Sequence, residues 1–238
     1  MGKLYIVMPA YNEAENIEET INQWYPVAEK ISKEGCECQL VIADDGSKDD
    51  TYERMCQIQT DKPLFIPLTK QNSGHGAMVL YLYRYAIENG ATYIFQTDSD
   101  GQTLPEEFWQ MWKNRTQNDF HIGTRGGRQD GFSRVLVTRT LRLVVWVMFG
   151  VWVKDANTPF RLMSVQRLQE ILQYVPEDFF LANVAVSAIA VKKKESIAWY
   201  PITFRPRQGG INSINMKRIV KIGWKAIGDF REINRNLK

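Results

Sequence analysis

Four short apolar runs divide the first half of the chain, and each of them predicts a buried β-strand. They cover residues 4–8, 39–43, 64–68 and 91–97. Each run ends in a loop of Asp, Asn, Ser or Gly, and a helical pattern follows the loop. This alternation predicts a doubly wound α/β sheet, in which ligands bind at the carboxyl ends of the strands. We therefore expect four polar loops to meet along one edge of one sheet.

The loop after the fourth run, Asp98-Ser99-Asp100-Gly101-Gln102, carries the most informative residues. Two carboxylates one residue apart, just past a strand, can converge on one hard cation, and the glycine allows the backbone to turn there. Such a pair suits Mg²⁺ or Mn²⁺ that also binds a substrate's phosphates. The alternative is a solvated acidic turn, because Asp and Gly are ordinary turn residues.

Length and composition fit one globular domain. The chain has 238 residues, of which 44% are hydrophobic and 24% are charged. No signal-peptide pattern opens it, and three cysteines without metal-ligand spacing predict reduced thiols in a cytosolic protein. Two histidines, far apart, do not suggest a zinc site.

The two halves of the chain differ in charge. Residues 1–120 hold 10 basic and 19 acidic side chains, whereas residues 121–238 hold 20 basic and 8 acidic ones. An acidic half that binds a cation and a basic half that binds phosphates would produce this division, and so would a basic surface that faces anionic lipid. Nucleic acid is set aside as a partner, because the basic residues form no recognised nucleic-acid module.

Two basic-apolar segments follow in the second half. Arg134, Arg139 and Arg142 share one face of a predicted helix, and residues 143–153 are all apolar or Gly. A bilayer span needs about 20 apolar residues, so we expect this segment to be a helix that lies against a membrane interface or is folded into the core. Residues 216–237 form a second basic amphipathic pattern, which predicts either membrane-surface binding or a terminal helix packed on its own domain.

Seven motifs support a family resemblance. Those in the four loops are Val7-Met8-Pro9-Ala10-Tyr11-Asn12-Glu13, Asp44-Asp45-Gly46-Ser47-x-Asp49-x-Thr51, Asn72-x-Gly74-x-Gly76 and Asp98-x-Asp100-x-Gln102. Together they resemble the inverting family 2 glycosyltransferases, which implies the GT-A fold: a Rossmann-like, doubly wound mixed sheet with helices on both faces. The later motifs are Gly123-Thr124-Arg125, Asp155-x-x-x-x-Phe160-Arg161 and Phe204-x-x-Arg207-x-x-Gly210. They look like the polyprenyl-phosphate branch of the family, which includes dolichol-phosphate mannose synthase.

The resemblance implies a role for each loop. A nucleotide-sugar donor would lie against Pro9, Ala10, Tyr11 and Glu13, with its base hydrogen-bonded by Asp44 and Asp45. Asp44 could equally cap the helix that begins near Asp49. Gly74 and Gly76 would let backbone N–H groups approach a polar ligand, although two glycines near a helix start are a weak signal. Further donor-site positions implied by the resemblance are Arg134 and Ser213.

The resemblance also assigns the metal and the catalytic groups. Asp100 would be the main ligand of Mg²⁺ or Mn²⁺, with Asp98 and Gln102 completing the protein side. Arg125 and Arg207 would contact phosphate, because the guanidinium fork fits phosphate oxygens. The surface alternative for Gln102 is a polar residue ahead of the helix at Pro105.

The acceptor side departs from the usual branch pattern. Pro159 replaces the usual Gly before Phe160, and Asn183 stands where an acidic residue is frequent. Asp178, after Glu177, resembles the catalytic base of other family 2 branches, or else it caps the helix that follows. The predicted domains are a catalytic domain of residues 1–213 and a basic helix of residues 214–238.

These inferences predict a cytoplasmic enzyme, peripheral on the cytoplasmic face of a membrane. It would transfer a sugar from a nucleoside-diphosphate donor to a polyprenyl phosphate, the lipid acceptor, with inversion. The alternative is a family 2 transferase that acts on a glycan hydroxyl with Asp178 as its base. A non-catalytic nucleotide-sugar or lipid-binding module is a third class, which the intact metal motif disfavours. The sequence leaves the sugar, the nucleotide base and the oligomeric state open.

Overall fold

The structure is a computed structural model that describes residues 2–125, 132–206 and 227–237; within residues 132–139 it describes the backbone alone. Seven strands form one sheet, with the bounds β1 Lys3–Ala10, β2 Glu37–Asp44, β3 Phe65–Thr69, β4 Tyr93–Gln96, β5 Phe120–Arg125, β6 Arg161–Ser164 and β7 Ile197–Ile202. Their order across the sheet is β3-β2-β1-β4-β6-β5-β7. Of these strands β6 alone runs antiparallel to its neighbours, so the sheet is mixed, as expected.

Helices cover both faces of the sheet. Their bounds are α1 Ile17–Lys33, α2 Thr51–Gln59, α3 His75–Glu88, α4 Pro105–Lys113, α5 Phe132–Phe149, α6 Val165–Leu172 and α7 Ala182–Lys192, and a last helix spans residues 227–236. One hydrophobic core lies between the sheet and α1, α2 and α4. A second core joins the sheet to α3, α5, α6, α7 and the last helix. The doubly wound α/β architecture is therefore confirmed.

The four predicted N-terminal strands are all present, but β1 continues through Pro9 to Ala10 rather than ending before the proline. Val7 faces β4, since its carbonyl accepts a hydrogen bond from the N–H of Thr97 at 3.1 Å. Pro9, two residues further along, faces the same side of the strand. It lies beyond Val7, which is the last residue of β1 that pairs with β4. A proline without an N–H group therefore breaks no ladder hydrogen bond at that position.

Strand β6 was not foreseen from the sequence. It has only four residues, begins with a buried arginine and shows no alternation of apolar and polar positions. Its burial on both faces, between β4 and β5, removes the period-2 pattern by which strands are recognised. The antiparallel insertion places Arg161 opposite Gln96, next to the metal motif.

The apolar run of residues 143–153 is not one helix, and that part of the prediction was wrong. Helix α5 ends at Phe149, because Gly150 adopts a left-handed conformation with φ of 71°. Val145, Phe149 and Val153 are buried in the core, while the residues between them on the other side are exposed. The segment therefore packs internally along one face only.

The predicted helix of residues 216–237 is described from residue 227 onward, and residues 207–226 lie outside the described part. Phe230 and Ile233 of the last helix are buried, and the Phe230 ring contacts Phe149 and Phe179 at centroid distances of 5.3 and 5.5 Å. The amide of Asn234 also donates to the Met148 carbonyl at 2.7 Å. This part packs on its own domain. The domain boundary after residue 213 stays a prediction.

Gly76, at the start of α3, lies where this helix packs closely against the backbone of the segment before α7. A Cβ atom there would lie 2.4 Å from the Phe179 carbonyl oxygen and 2.3 Å from that of Phe180. We expect Gly76→Ala to lower the free energy of unfolding by at least about 2 kcal/mol, because backbone rather than a flexible side chain must move.

The control is Gly228→Ala, in the last helix, where a Cβ meets no atom within 4 Å. That change should be neutral or should stabilise the protein by up to about 1 kcal/mol, since alanine favours helix. Urea unfolding of both variants measures the difference, and equal stabilities would contradict the close approach.

Candidate active site

The polar loops meet where the carboxyl ends of β2, β1 and β4 lie side by side. The N–H of Asp45, after β2, donates to the Ala10 carbonyl of β1 at 2.8 Å. From the other side, the Ser99 hydroxyl donates to the Pro9 carbonyl at 2.8 Å. The three loops that follow these strands are therefore joined directly, as the sequence predicted for one edge of the sheet.

The first loop interlocks with the second. Asn12 has a positive φ of 55°; its N–H donates to the Ser47 hydroxyl at 2.8 Å, and its side-chain oxygen accepts from the Lys48 N–H at 2.9 Å. Glu13 is buried and accepts a hydrogen bond from the Asn16 amide at 2.9 Å. Tyr11, in contrast, is 41% exposed. Among the predicted donor contacts of this loop, Tyr11 is thus the open side chain and Glu13 the buried one.

Asp44 and Asp45 are both buried and organise the loops around them. Asp44 accepts hydrogen bonds from the Ser47 N–H at 3.2 Å and the Thr69 hydroxyl at 3.0 Å. It does not cap the following helix, since α2 begins at Thr51 with Asp50 as its N-cap. Asp45 reaches to the third loop instead.

The third loop is held by Asp45. Its carboxylate accepts from the Ser73 N–H at 2.7 Å and from the Gly74 N–H at 2.8 Å. Gly74 has a φ of 88° with open space where a side chain would be, whereas Gly76 packs against the neighbouring backbone. The structure therefore explains Gly76 by packing, and Gly74 is the position where the loop backbone lies open.

The fourth loop, which carries the metal motif, is anchored to helix α1. Ser99 is buried, its carbonyl accepts from the Thr20 hydroxyl of α1 at 3.0 Å, and Gly101 turns the chain with a φ of 70°. Asp98 and Asp100 are both half-buried on either side of this anchored serine. The carboxylates are therefore held on a rigid turn at the edge of the sheet.

The side-chain chemistry of the motif fits a divalent cation. Asp98 Oδ1 is buried and has no hydrogen-bond partner among the described residues. Gln102 donates its side-chain amide N–H to the Arg205 carbonyl at 2.6 Å, which leaves its oxygen for another partner. Asp98, Asp100 and Gln102 could therefore hold Mg²⁺ or Mn²⁺, both of which prefer oxygen ligands.

The described part of the chain contains no group of three or more His, Cys, Asp and Glu placed to hold a metal. Two carboxylates and one amide make an incomplete shell for an ion that takes six oxygen ligands. A cation at this motif would therefore take its other ligands from substrate or water.

Arg125 forms a buried ion pair with Asp155. Its Nε lies 2.8 Å from one carboxylate oxygen and its Nη2 lies 2.7 Å from the other, and the backbone N–H of Arg125 donates as well, at 3.2 Å. The guanidinium also lies 5.3 Å from the centre of the Phe204 ring. One edge of the guanidinium predicted to bind phosphate, formed by Nε and Nη2, is thus engaged by Asp155, which sequence reasoning did not connect with Arg125.

Several predicted residues lie outside the described structure. Arg207 and Ser213 are among them, and only the backbone of Arg134 is described, within α5. Arg142 is described, and its guanidinium donates to the Lys154 carbonyl. The assignments of Arg134, Arg207 and Ser213 remain predictions.

The segment that leads to Arg207 is anchored beside the metal motif. Both carboxylate oxygens of Glu107, on α4, accept from the Thr203 N–H, at 2.9 and 3.0 Å. The N–H of Arg205 donates to the Gln102 carbonyl at 2.8 Å. Sequence reasoning missed Glu107, which resembles any acidic residue in the first turn of a helix.

Asp178 is exposed in the turn between α6 and α7. It does not cap α7, which begins at Ala182 after Leu181 and has no side-chain cap. The adjoining Phe179 and Phe180 carbonyls lie against Gly76, so Asp178 is at the same end of the sheet as the polar loops. The Oε1 atom of its neighbour Glu177 lies 3.6 Å from Nε of Arg84.

A mixed doubly wound sheet with a carboxylate motif at the strand ends is the arrangement of the GT-A fold. The sequence profile of glycosyl transferase family 2 matches residues 5–187, and the chain belongs to this family. The chain is an enzyme of the glycosyltransferase class.

Similar proteins of known activity act on lipid phosphates. The polyprenol monophosphomannose synthase of Mycolicibacterium smegmatis is 23% identical over 93% of this chain and 84% of its own length. The UDP-N-acetylglucosamine–dolichyl-phosphate N-acetylglucosaminyltransferase of Methanococcus voltae is 22% identical over 84% of each chain. An undecaprenyl-phosphate 4-deoxy-4-formamido-L-arabinose transferase of Pectobacterium atrosepticum is 27% identical over 75% of this chain and 54% of its own length.

Solved structures share the fold. Glucosyl-3-phosphoglycerate synthase from Mycobacterium tuberculosis, in complex with Mn²⁺, UDP-glucose and phosphoglyceric acid, superposes with a TM-score of 0.70. It is 16% identical, and the match covers 98% of this chain and 80% of that protein. At this identity the likeness establishes the GT-A fold.

No helix in the described ranges combines the length and the apolar character that crossing a bilayer requires.

The buried pair of Arg125 and Asp155 can be tested by Arg125→Lys. Lysine keeps the charge but loses the planar fork, so we expect a loss of about 1.5–3 kcal/mol of unfolding free energy, together with lower activity. The control is Glu170→Gln, which breaks the half-exposed pair with Arg167 at 3.1 Å. That change should cost less than about 1 kcal/mol.

Chemical denaturation measures the stability of both variants. If Arg125→Lys lost activity at wild-type stability, the fork would serve the substrate alone, and the structural role assigned to the pair would be wrong.

Proposed function

We propose that this enzyme transfers a sugar from a nucleoside-diphosphate sugar to a polyprenyl phosphate, with inversion and with the aid of Mg²⁺ or Mn²⁺. The observation that carries the proposal is the position of Asp98, Asp100 and Gln102 at the joined ends of β1, β2 and β4. The lipid-phosphate specificity of the similar proteins supports the choice of acceptor.

The donor would lie across the first three loops. Tyr11 offers an exposed aromatic ring, and Asp44 and Asp45 have carboxylate oxygens with several acceptor sites each, some of which the protein already uses. Gly74 adds an open stretch of backbone where its missing side chain leaves space. These groups favour a ligand with a base and hydroxyls at one end and phosphates directed to the metal motif at the other.

A divalent cation bound by Asp98, Asp100 and Gln102 would neutralise charge on the departing nucleoside diphosphate. The protein's own part is to hold these ligands rigidly, through Ser99 and Thr20, and to place the segment after β7 beside them, through Gln102 and Glu107. This arrangement keeps the leaving group fixed while the acceptor approaches from the opposite side.

In the proposed reaction an oxygen of the lipid phosphate attacks the anomeric carbon. The bond from that carbon to the donor's diphosphate breaks, and the diphosphate leaves with the electron pair, so the configuration inverts in one step. A phosphate oxygen is already ionised at pH 7, and no strong general base is required. A sugar hydroxyl as acceptor would instead need a base, for which exposed Asp178 is the candidate.

The acceptor would be reached at a membrane surface. Leu143, Trp146 and Val147 of α5 are 55%, 52% and 57% exposed, and Trp152 is 62% exposed. Lys154 is exposed directly after them. Tryptophan with adjoining basic residues is typical of surfaces at the headgroup level of a bilayer. We propose that this patch, Leu143 to Trp152, rests on the cytoplasmic face of a membrane.

The function is tested by incubating a panel of nucleotide sugars with Mn²⁺, Mg²⁺ and a polyprenyl phosphate, and by measuring the product mass. Asp100→Asn should reduce transfer at least about 100-fold while the protein remains folded, because a charged metal ligand is lost. Asp178→Asn should retain most of the activity, since the lipid phosphate needs no base.

Two outcomes would contradict the proposed function. Undiminished transfer by Asp100→Asn in buffer with a chelator would remove the metal assignment. Rejection of polyprenyl phosphate, with a loss of about 100-fold or more in Asp178→Asn, would favour the glycan-hydroxyl transferase instead.

The membrane patch is tested by the double variant Trp146→Ser, Trp152→Ser. Sedimentation with liposomes that contain anionic lipid should fall at least about tenfold, equivalent to about 1.4 kcal/mol. The matched control, Trp146→Phe with Trp152→Phe, keeps an aromatic apolar surface and should bind nearly as the wild type does. Equal binding by the serine and phenylalanine variants would show that the patch does not face lipid.

A further inference from the structure

Arg161 is a fully buried cation that the proposed reaction does not use. Its hydrogen bonds run to carbonyls and a hydroxyl: Nε donates to Thr158 at 3.1 Å, and Nη1 donates to the Asn183 carbonyl at 3.2 Å and to the Ser187 hydroxyl at 3.3 Å. These partners hold the guanidinium in place but carry no negative charge. A cation taken out of water is costly unless nearby negative charge compensates it.

The register of β4 and β6 places the Arg161 side chain close to the metal motif. Arg161 of β6 pairs directly with Gln96 of β4 in an antiparallel ladder. Asp98 lies two residues past Gln96, the last residue of β4. The N–H of Thr97 between them still donates to the Val7 carbonyl of β1 at 3.1 Å, so the strand direction continues and alternation places Asp98 on the same side as Arg161. Diagonal neighbours in such a pair are about 7–8 Å apart, which a long side chain spans.

The covering helices make this face a buried polar layer. The Tyr83 hydroxyl, from α3, donates to the Gln96 side-chain oxygen, and Asn183 and Ser187 belong to α7. Four buried polar atoms around the layer have no hydrogen-bond partner among the described residues: Gln96 Nε2, Asp98 Oδ1, Thr158 Oγ1 and Asn183 Oδ1. The Asp98 oxygen belongs to the one carboxylate in this set of four.

Two carboxylates share the field of Arg161. Burial lowers the pKa of the Arg161 guanidinium, and Arg125 lowers it as well, while Tyr83, Asp155 and Asp98 act in the opposite direction. Asp155 is already joined to Arg125 through both of its oxygens. Asp98 is thus the acidic side chain left to balance the Arg161 charge.

We infer that Arg161 is a positioning residue for the metal motif. Its buried charge attracts the Asp98 carboxylate and so fixes the orientation in which this side chain meets a divalent cation at the sheet edge. This inference rests on the metal site of the proposed function and adds a residue to it. It also gives a role to the Asp155-x-x-x-x-Phe160-Arg161 motif, which ties the buried cation to the buried Arg125 pair.

A purely structural role is the alternative, because Arg161 also ties residues 156–158 and α7 to the sheet. Ser187→Ala provides the matched control. It removes a hydroxyl that bonds to Arg161 and donates to the Ala156 and Asn183 carbonyls, at 3.1 and 2.8 Å, without changing any charge. A loss of packing alone should affect this variant and the Arg161 variants in the same way.

The test is a double-mutant cycle on Mn²⁺ binding, measured by the electron paramagnetic resonance signal of free Mn²⁺ in the presence of UDP or GDP. Arg161→Met should weaken binding about tenfold or more, whereas Arg161→Lys, which keeps the charge, should stay within about threefold. Ser187→Ala should lower the unfolding midpoint without changing Mn²⁺ affinity. In the Asp98→Asn background, Arg161→Met should have no further effect.

Stability of the metal-free protein gives a second measurement that needs no Arg161 variant. Asp98→Asn should lower the thermal midpoint by at least about 2 °C, because the Arg161 charge loses its balance. Asp100→Asn, which removes an equal charge from the same loop, should lower the midpoint by less than Asp98→Asn does. A lower midpoint for Asp100→Asn than for Asp98→Asn would overturn the inference.

Additive effects of Arg161→Met and Asp98→Asn on Mn²⁺ affinity would overturn it too, and so would equal losses in Arg161→Met and Arg161→Lys. If the wild type binds Mn²⁺ but transfers no sugar to a lipid phosphate, the proposed function fails while the inference stands. Absence of Mn²⁺ binding by the wild type would overturn both.

Discussion

The adjacency of β2, β1 and β4 is the constraint on which the rest of the structure depends. Parallel strands in this order end at one edge of the sheet, and their backbones are joined there by the Asp45–Ala10 and Ser99–Pro9 hydrogen bonds. Both bonds lie within the protein, so the loops are held in position without a ligand. Asp45 then extends the joined region to the third loop through the Ser73 and Gly74 N–H groups. The site is therefore an outcome of topology, with side chains that fasten one loop to the next.

Much of this could be predicted from the sequence, because local pattern and topology agree. An apolar strand, a polar loop and a helix repeat along residues 3–113, and parallel topology alone brings the loops together. The ends of elements were less predictable. Strand β1 continues through Pro9 because no ladder hydrogen bond from an N–H group is needed at that position. Helix α5 ends at Gly150 although the apolar run continues past it. Both outcomes depend on backbone geometry that hydrophobic pattern does not encode.

The contacts that complete the site could not be predicted, since they join residues far apart in the chain. Arg125 meets Asp155 across 30 residues, Gln102 meets Arg205 across 103, and Glu107 meets Thr203 across 96. No periodicity links such partners. Strand β6 adds a further long-range pair, because its antiparallel insertion between β4 and β5 brings Arg161 opposite Gln96. Four residues, three of them buried and without an alternating pattern, give no reason to predict a strand there from the sequence.

The division of charge along the chain gains a structural meaning from that insertion. The first half of the chain contributes Asp98 and Asp100 to the sheet edge. The second half contributes Arg161, which is buried on β6 opposite Gln96, and Arg125, which ends β5 and pairs with Asp155. A cation site built from carboxylates alone would suffer mutual repulsion in its empty state. The buried Arg161 charge, which interacts with Asp98, would offset that repulsion, and the bidentate link to Asp155 limits how far Arg125 can move. The antiparallel strand in the middle of the sheet thus brings a positive charge from the second half of the chain against the acidic sheet edge of the first half, where the proposed cation would bind.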